Sequence, residues 1–345
     1  MKNKLGILGG GQLGMFICKA ANKLNIETIV LSNSENFSAR KFCNSFIIGD
    51  FNNKNIINKF LELADVFTVE TENIPAQVLR TIQNSKKLFP NSNIIEISQN
   101  RLKEKNFINS LADIRTVNYK IIKNFNDLEI TLKLFNNSGI LKSCEMGYDG
   151  KGQYRVNLNN LKEYKNFKFK DYILEEMILF KKELSVIVCR TSNNITCYPV
   201  VENIHRNSIL RETLYPAKIS KYSENKAISI AKEIANKLNL NGILAVEMFL
   251  LDNEDVLVNE LAPRPHNSGH WTLDYCKNNQ FENLIYSIFD NRVKEPIPKE
   301  NCKMVNVIGD DYKNKKNYIK NFNFHDYYKK EIKKLRKMGH YTFTN

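Results

Sequence analysis

The chain has 345 residues, of which 42% are hydrophobic, enough for two or three domains with a sizeable core, and no apolar run approaches the ~18 residues of a membrane span. Its net charge of +14 comes from lysines scattered among asparagines and isoleucines, a distribution that predicts no nucleic-acid interface and suits an anionic small substrate equally well. Seven cysteines without a Cys-x-x-Cys pair, and no signal peptide, are typical of a reduced, cytoplasmic protein.

Strands alternate with helices over about the first hundred residues. Helices are predicted after Gly14 and near 56–63, and apolar runs predict strands at 5–8, 26–31, 46–48 and 66–69, with Ile94-Ile95 as a further candidate. This alternation favours a parallel, doubly wound sheet.

The pattern from about 100 to 290 is more mixed. It predicts an amphipathic helix at 223–238 and strands at 140–142, 172–177 and 183–190. Residues 245–251 and 256–260 are predicted to pair as a hairpin. The last fifty residues, after Pro296 and Pro298, are expected to form a small basic module.

Gly9-x-Gly11-x-x-Gly14 follows the first strand and fits the dinucleotide fingerprint, in which a helix N-terminus faces an anion. A nicotinamide dinucleotide would need an acidic residue at the end of the second strand, which instead ends Ser32-Asn33-Ser34. The turn therefore predicts a site for a phosphate or another polar ligand. A tight strand–helix turn without a ligand is the alternative.

A second glycine-rich loop, Gly147-Tyr-Asp-Gly-Lys-Gly-Gln153, follows a strand that ends in Lys142. Glycines let backbone amides approach phosphate oxygens, and Lys151 can add positive charge. The loop predicts a lid over a triphosphate, and a plain hairpin tip is the alternative.

Carboxylates recur near predicted strand ends, at Glu175, Glu176, Glu183, Glu247 and Glu260. Two of them, Glu247 and Glu260, lie on the two strands of the predicted hairpin and could meet across it. Magnesium binds one or two protein carboxylates together with substrate phosphates. The hairpin therefore predicts a magnesium site.

The segment from Asn259 to Trp271 places a carboxylate, an arginine and two histidines in a turn that follows a buried strand. Loops leaving a rigid strand are where binding and catalytic sites are commonly built. His266 and His270 have a zinc-like spacing only on a helix, which Pro265 and Gly269 make improbable. We predict a site without zinc, and a polar surface loop is the alternative.

These motifs together resemble the N5-carboxyaminoimidazole ribonucleotide synthase family, ATP-grasp carboxylases of purine biosynthesis. The resemblance extends from residue 6 to residue 340, and the matching stretches are 9–14, 70–75, Arg101-x-x-x-Lys105, 147–153, Glu175-Glu176, 182–186, 259–272, 280–282 and 336–340. The stretch 259–272 is the most specific of them.

The resemblance implies an α/β and α+β protein of three domains. These are an N-terminal Rossmann-like (pre-ATP-grasp) domain at 1–100, a central ATP-grasp domain at 101–290 with a lid subdomain at about 115–180, and a small C-terminal domain at 291–345. It also implies a homodimer.

The implied reaction uses ATP and bicarbonate to carboxylate 5-aminoimidazole ribonucleotide, giving the N5-carbamate, ADP and phosphate through carboxyphosphate. The implied cofactors are ATP and Mg²⁺, with Mn²⁺ as an alternative ion. Another ATP-grasp ligase with a different acceptor, or a non-catalytic nucleotide-binding relative, remains open. The implied partners are the ribonucleotide and bicarbonate, without nucleic acid or membrane.

The resemblance also implies roles for individual residues. Metal is expected at Glu247 and Glu260, and catalytic roles are expected for Asp149, Arg264 and His266. The nucleotide is expected to contact Arg101, Lys142, Gly147, Tyr148, Asp149, Gly150, Lys151, Gly152, Gln153, Glu175, Glu176, Met177, Ile178, Glu183, His205, Asn259 and Glu260. The acceptor is expected to contact Gln12, Leu13, Glu72, Tyr148, Arg264, His266, Lys330, Lys333 and Arg336.

Two departures from the family pattern concern arginines. Met15 follows Gly14 where the family usually has arginine, and Lys333 stands where it tends to have arginine. Lysine keeps the charge but loses the bidentate geometry that arginine offers to phosphate, so a weaker substrate affinity is expected.

Overall fold

A computed structural model describes residues 3–145 and 152–344. The helices are α1 (Gln12–Lys23), α2 (Lys54–Leu63), α3 (Ala76–Ser85), α4 (Ser92–Ser98), α5 (Arg101–Asn109), α6 (Phe125–Leu134), α7 (Lys221–Lys237), α8 (Thr272–Tyr275), α9 (Gln280–Phe289) and α10 (Lys315–Asn321). The strands are β1 (Lys4–Leu8), β2 (Glu27–Ser32), β3 (Ser45–Ile48), β4 (Val66–Val69), β5 (Lys87–Phe89), β6 (Tyr119–Ile122), β7 (Ser138–Ser143), β8 (Gln153–Asn157), β9 (Tyr172–Glu176), β10 (Lys182–Arg190), β11 (Ile195–Cys197), β12 (Val201–Arg206), β13 (Ile209–Tyr215), β14 (Gly242–Leu250), β15 (Val256–Ala262), β16 (Cys276–Lys277), β17 (Ile297–Pro298), β18 (Cys302–Ile308), β19 (Asn323–Asp326) and β20 (Lys337–Thr344).

The first sheet is parallel, in the order β3-β2-β1-β4-β5. This confirms the parallel α/β arrangement predicted from the alternating pattern. The prediction of a strand at Ile94-Ile95 is wrong, because both residues lie in α4 and pack into the core from a helix. The Asn91 side chain accepts a hydrogen bond from the Ile94 amide and caps that helix. The fifth strand is β5, which is too short to show a period.

The asparagine-rich composition contributes directly to helix formation. Asparagine side chains accept backbone N–H bonds at the starts of α2, α4, α5, α6 and α9. Each bond satisfies an amide that has no partner within the helix, which typically stabilises a helix by about 1 kcal/mol.

A second, antiparallel sheet has the order β6-β9-β7-β8 and carries α6 on one face. The third and largest sheet has the order β15-β14-β10-β12-β13-β18-β20-β19, with β11 paired to β10. Its members β18, β19 and β20 come from the C-terminal segment. The C-terminal segment therefore continues the central sheet.

Helix α1 joins all three parts of the chain. Phe16 on this helix makes aromatic contacts with Phe281 of α9 and with Tyr327 of the C-terminal segment, at centroid distances of 5.1 and 6.1 Å. Met15, which stands where the family usually has arginine, is fully buried in the same core. An arginine there would need a charged partner, whereas methionine fills the space without one. Among the described residues, no helix is long and apolar enough to cross a membrane.

We predict that Phe16→Ala lowers the free energy of unfolding by about 3–5 kcal/mol, because it opens a cavity where three parts of the chain meet. Urea unfolding measures this loss. Phe46→Ala, at a residue that is 39% exposed, serves as the control and should cost much less. Equal losses in the two variants would contradict the role given to α1.

Candidate active site

A cavity of about 530 Å³ opens between the first sheet, the large sheet and the C-terminal segment. Its wall includes most of the described residues that sequence patterns and the family resemblance singled out. The predicted residues on the wall are Gln12, Leu13, Glu72, Arg101, Lys142, Gln153, Glu183, His205, Glu247, Asn259, Glu260, Arg264 and His266.

The predicted hairpin forms from β14 and β15, and Glu247 lies directly opposite Glu260 in its register. The next pair joins Met248 to Val258, so Asn259 is an extra residue in β15. Such a bulge lets two consecutive residues face the same side of a sheet. Asn259 and Glu260 therefore both reach the cavity wall.

The side chains at this bulge fit a hard divalent cation. Glu247 and Glu260 offer carboxylate oxygens and Asn259 an amide oxygen, the kind of ligand that Mg²⁺ prefers. Burial opposes ionisation of Glu247, but the hydrogen bond from His266 and the positive charge nearby outweigh it and lower the pKa to about 2. The described residues contain no group of three or more Asp, Glu, His or Cys placed to hold a metal by themselves. That fits an ion bound by one or two carboxylates and completed by substrate phosphates.

Helix α5 fixes the edge strand β15 at the bulge. Arg101 Nη1 lies 3.4 Å from Glu260 Oε2. One turn further on, Glu104 Oε1 accepts a 2.7 Å hydrogen bond from the Leu261 amide. Burial and the nearby charge of Glu260 raise the pKa of Glu104 to about 8. Side chain and backbone of β15 are thus both held from α5.

A buried charge cluster lies where the sheet β6-β9-β7-β8 borders the cavity. The Glu175 carboxylate lies 2.6 Å from Lys142 Nζ and 3.0 Å from Lys105 Nζ. Burial opposes ionisation of Glu175, but the charges of the two lysines outweigh it and lower the pKa to about 2. Burial lowers the pKa of Lys105, against the attraction of Glu175. Glu175 thus acts by fixing Lys142, whose side chain reaches the cavity wall.

On the opposite wall, His205 Nδ1 lies 2.5 Å from Glu183 Oε2. Burial opposes protonation of His205, but the hydrogen bond and charge of Glu183 outweigh it and raise the pKa. The two side chains come from neighbouring strands, β12 and β10. They form a polar pair on the wall of the cavity.

Arg264 ties the segment after β15 to the N-terminal sheet. Its Nε and Nη2 atoms both donate to the Glu72 carboxylate, the second at 2.9 Å. Burial opposes ionisation of Glu72, but the charge and hydrogen bonds of Arg264 outweigh it and lower the pKa to about 2. This bidentate pair joins residues 192 positions apart in the sequence.

His266 is held on both its backbone and its ring. Gln280 accepts from the His266 amide at 2.8 Å and donates to the His266 carbonyl at 2.8 Å. The ring lies 2.9 Å from Glu247 Oε1 through Nε2 and 2.8 Å from Ser268 Oγ through Nδ1. Its position is therefore set by three other parts of the chain.

Comparisons with known proteins agree with this architecture. Three domain families match in order: the ribonucleotide synthetase pre-ATP-grasp domain over 1–99, the ATP-grasp domain over 108–281 and the phosphoribosylaminoimidazole carboxylase C-terminal domain over 302–345. The N5-carboxyaminoimidazole ribonucleotide synthase of Bacillus subtilis is 38% identical, over 98% of this chain and 90% of its own. This chain belongs to the N5-carboxyaminoimidazole ribonucleotide synthase family.

Two solved structures extend the comparison. The Staphylococcus aureus N5-carboxyaminoimidazole synthetase complexed with ADP aligns with a TM-score of 0.94 and 33% identity, over 100% of this chain and 94% of its own. The Aspergillus clavatus N5-carboxyaminoimidazole synthase in complex with ADP and 5-aminoimidazole ribonucleotide has a TM-score of 0.91 and 28% identity, over the same shares. Membership of the family confirms the ligase class and the fold class predicted from sequence.

The Gly9–Gly14 turn holds a carboxylate of the chain itself, and the binding of a phosphate or another polar ligand there stays a prediction. Gly11 and Gly14 amides donate to the Glu70 carboxylate at 2.9 and 3.1 Å. Burial raises the pKa of Glu70, and these two amides oppose that shift. A Cβ at Gly9 would lie 2.5 Å from Glu70 Cγ. The glycines thus make room for a carboxylate of the chain itself.

Several residues implicated by the family resemblance lie away from the cavity wall. Glu176 binds Asn118, and Met177 and Ile178 follow β9 at the surface edge. Gly152 has φ of +68° and its carbonyl accepts from the Ser143 amide. Gly147, Tyr148, Asp149, Gly150 and Lys151 lie outside the described residues, so the loop predictions stay predictions.

The expected phosphate contacts also differ from the arrangement seen. Lys330 and Lys333 are exposed, and Lys333 pairs with Glu331 at 3.2 Å. The Arg336 side chain turns to the Glu331 carbonyl. The residue of this segment on the cavity wall is Lys337, at the start of β20.

Sequence reasoning missed Glu70, Glu104 and Lys337 on the cavity wall. Glu70 stands in the matched stretch 70–75, but no pattern showed that it would bind the glycine turn. Glu104 and Lys105 are charged residues on the buried face of α5. A charged pair at core positions of a helix was the available signal.

We predict that the Glu72–Arg264 pair contributes to the free energy of unfolding at neutral pH and that this contribution is lost in acid. The folded pKa of Glu72 lies at about 2, below its ordinary 4.5, so its contribution is complete above about pH 4.5 and is lost as pH falls towards 2. Glu72→Gln should therefore be less stable than the wild type at pH 7, with a difference that shrinks as the pH is lowered.

Urea unfolding at a series of pH values measures this difference. Glu129→Gln, which removes an exposed pair with Lys133 on α6, is the control and should follow the wild-type pH dependence. A constant gap between Glu72→Gln and the wild type at every pH would contradict the pairing.

Proposed function

We propose that this protein uses ATP and bicarbonate to carboxylate 5-aminoimidazole ribonucleotide on its exocyclic amine, giving N5-carboxyaminoimidazole ribonucleotide, ADP and phosphate. The observation that carries the proposal is the single cavity in which the Glu247–Glu260 pair, Arg264 and His266 meet. The family membership and the Aspergillus clavatus complex with ADP and 5-aminoimidazole ribonucleotide support it.

On this proposal, the nucleotide lies between the sheet β6-β9-β7-β8 and the large sheet. Lys142 and Arg101 supply positive charge for its phosphates, and each is held by a carboxylate, Glu175 and Glu260. Phosphoryl transfer needs little covalent help from the protein and depends on positioning and charge. Residues 147–153 close the phosphate side, and Glu183 and His205 line the pocket. Glu175, Glu176, Met177 and Ile178, at and after the end of β9, are proposed to approach the nucleotide when it is bound.

Glu247 and Glu260, with Asn259 beside them, would hold Mg²⁺ or Mn²⁺. When bound, the ion neutralises charge on the phosphate oxygens. The protein residues do the rest of the positioning. Arg101 pairs with Glu260, and His266 donates to Glu247. Each carboxylate is therefore oriented by a neighbouring side chain.

The acceptor side is formed by Gln12, Leu13, Glu72, Arg264 and His266, with Tyr148 and Asp149 closing from the loop. Bicarbonate attacks the terminal phosphate of ATP to give carboxyphosphate, and the exocyclic amine then takes the carboxyl group. Asp149 is proposed to accept the amine proton. Arg264, fixed by Glu72, presents a planar cation to the bicarbonate-derived oxygens.

Carboxyphosphate is destroyed by water, so the loop 147–153 is proposed to exclude solvent during the reaction. The proposal includes a cytoplasmic homodimer, in line with the family. A ligase with a different acceptor is the remaining alternative, and the ADP assay below distinguishes the two.

We predict that ADP release from MgATP and bicarbonate is stimulated by 5-aminoimidazole ribonucleotide and lost in Glu260→Gln, because that change removes one of the two paired carboxylates. A coupled ADP assay measures both effects. Glu62→Gln, at an exposed position on α2, is the control and should keep wild-type activity.

Release of ADP at the same rate without the ribonucleotide would refute the assigned acceptor. Loss of activity in both variants would show that the effect is not specific to the cavity. No ADP release from the wild type under any condition would refute the enzymatic proposal as a whole.

We also predict that Lys337→Ala raises the KM for the ribonucleotide by roughly tenfold, the effect of losing one charged contact. Lys337 lies on the cavity wall, whereas Lys333 is exposed and paired with Glu331. Lys333→Ala should therefore change this KM by less than about twofold. The opposite order in steady-state kinetics would assign the phosphate contact to Lys333.

A further inference from the structure

A chain of buried polar side chains crosses the large sheet and ends on the ring of His266. Its members are Thr213 on β13, Asn203 on β12, Ser185 on β10 and Ser268 in the turn after β15, and we call this set the polar chain. All four residues are buried, and Thr213 and Ser268 are fully so. The polar chain thus leads from the centre of the sheet to the cavity wall.

Each member of the polar chain is within hydrogen-bond distance of the next. Thr213 Oγ1 lies 3.0 Å from Asn203 Oδ1, and Asn203 Nδ2 lies 2.9 Å from Ser185 Oγ. Ser185 Oγ lies 2.8 Å from Ser268 Oγ, which lies 2.8 Å from His266 Nδ1. The His266 ring ends the series at Glu247, 2.9 Å from Nε2.

The partners of His266 fix which ring nitrogen carries the proton in the neutral imidazole. The Ser268 amide can only donate, and it lies 3.4 Å from His266 Nδ1, so Nδ1 must accept. The Ser268 hydroxyl lies 2.8 Å from the same nitrogen, and Nε2 then carries the hydrogen and donates to Glu247.

The remaining hydroxyl directions follow in turn. Because the Ser268 hydroxyl donates to His266, its oxygen accepts from Ser185. The Ser185 oxygen in turn accepts from the Asn203 amide, and the Asn203 carbonyl oxygen accepts from Thr213. Every hydroxyl and amide group in the polar chain then has a partner, with all donors pointing towards His266.

Such a chain is costly for a fold that needs only an apolar core. Val186, Val188 and Leu184 from the same strand β10 are buried hydrophobic residues, and Ser185 differs from them in carrying a hydroxyl. Buried polar groups cost free energy unless fully hydrogen-bonded, and satisfied networks restrict a site to one arrangement. The polar chain therefore points to a positioning role.

We propose that Ser268, Ser185 and Asn203 are positioning residues that hold His266 with its proton on Nε2, so that His266 serves the reaction as a hydrogen-bond donor and not as the base that takes the amine proton. With Nδ1 accepting from Ser268 and Nε2 donating its hydrogen to Glu247, neither ring nitrogen has a lone pair free to take a proton. The inference about the reaction rests on the proposed function, whereas the tautomer does not.

Nitrogen-15 NMR of histidine-labelled, ligand-free protein tests the tautomer directly, since protonated and unprotonated ring nitrogens resonate far apart. The chain has five histidines, and the His266 signals are assigned by their loss in His266→Gln. We expect the wild type to show a protonated Nε2 and an unprotonated Nδ1. A protonated Nδ1 in the wild type would overturn the proposal.

Two variants test the polar chain itself, Ser268→Ala and Ser185→Ala. We expect Ser268→Ala to shift the His266 Nδ1 resonance strongly, and Ser185→Ala to shift it less, because Ser268 then loses the donor that orients its hydroxyl. Ser287→Ala is the matched control, since Ser287 is buried but donates within α9 to the Leu284 carbonyl. It should leave the His266 signals unchanged.

The kinetic test compares kcat with the KM for ATP. Loss of one orienting hydrogen bond should lower kcat roughly tenfold in Ser268→Ala, with little change in the KM for ATP. Ser268→Ala signals and rates equal to those of Ser287→Ala would overturn the proposal. If the His266 signals are unchanged in Ser185→Ala, the positioning role proposed for Ser185 and Asn203 would be refuted. Normal wild-type tautomer signals without ribonucleotide-stimulated ADP release would refute the proposed function instead.

Discussion

The bidentate pair between Glu72 and Arg264 is the contact on which the assembly of the cavity depends. It joins the carboxyl end of a strand in the parallel sheet to the turn that leaves β15 in the large sheet. Among the described residues, neither charge has another partner of opposite sign at this distance, so removing one member would leave the other partly buried and unpaired. The cavity is therefore complete only when both sheets are in place.

Other carboxylates around the cavity wall are likewise paired with a donor side chain from a different element. Glu175 holds Lys142, Glu260 faces Arg101, and Glu247 accepts from His266. Buried ion pairs contribute little net stability, because desolvation offsets their attraction. These pairs instead fix the orientation of side chains: each donor is held by its carboxylate before a substrate arrives.

Sequence patterns predicted those features that depend on local geometry. The turn at 252–255 predicts the hairpin, so the sequence places Glu247 and Glu260 on neighbouring strands. Regular spacing from Met248 and Val258 would put Asn259 opposite Glu247, so the direct opposition of the two glutamates depends on the bulge and could not be predicted. The glycine turn predicted that an anion approaches α1, but the pattern cannot distinguish a ligand from Glu70, which lies 56 to 59 residues away. Contacts between residues so far apart in sequence depend on how the strands and helices pack together, which a local sequence pattern does not predict.

The position of β20 in the large sheet has a consequence for biosynthesis. This strand is made after β19 and yet lies between β18 and β19, so β19 has no neighbour in the sheet until β20 has left the ribosome. Domains generally fold from the N-terminus during synthesis. The parallel sheet can therefore form on the ribosome, whereas the edge of the large sheet closes only after translation has passed residue 344. Until then β18 presents an unpaired edge, the kind of strand edge that can pair with another chain.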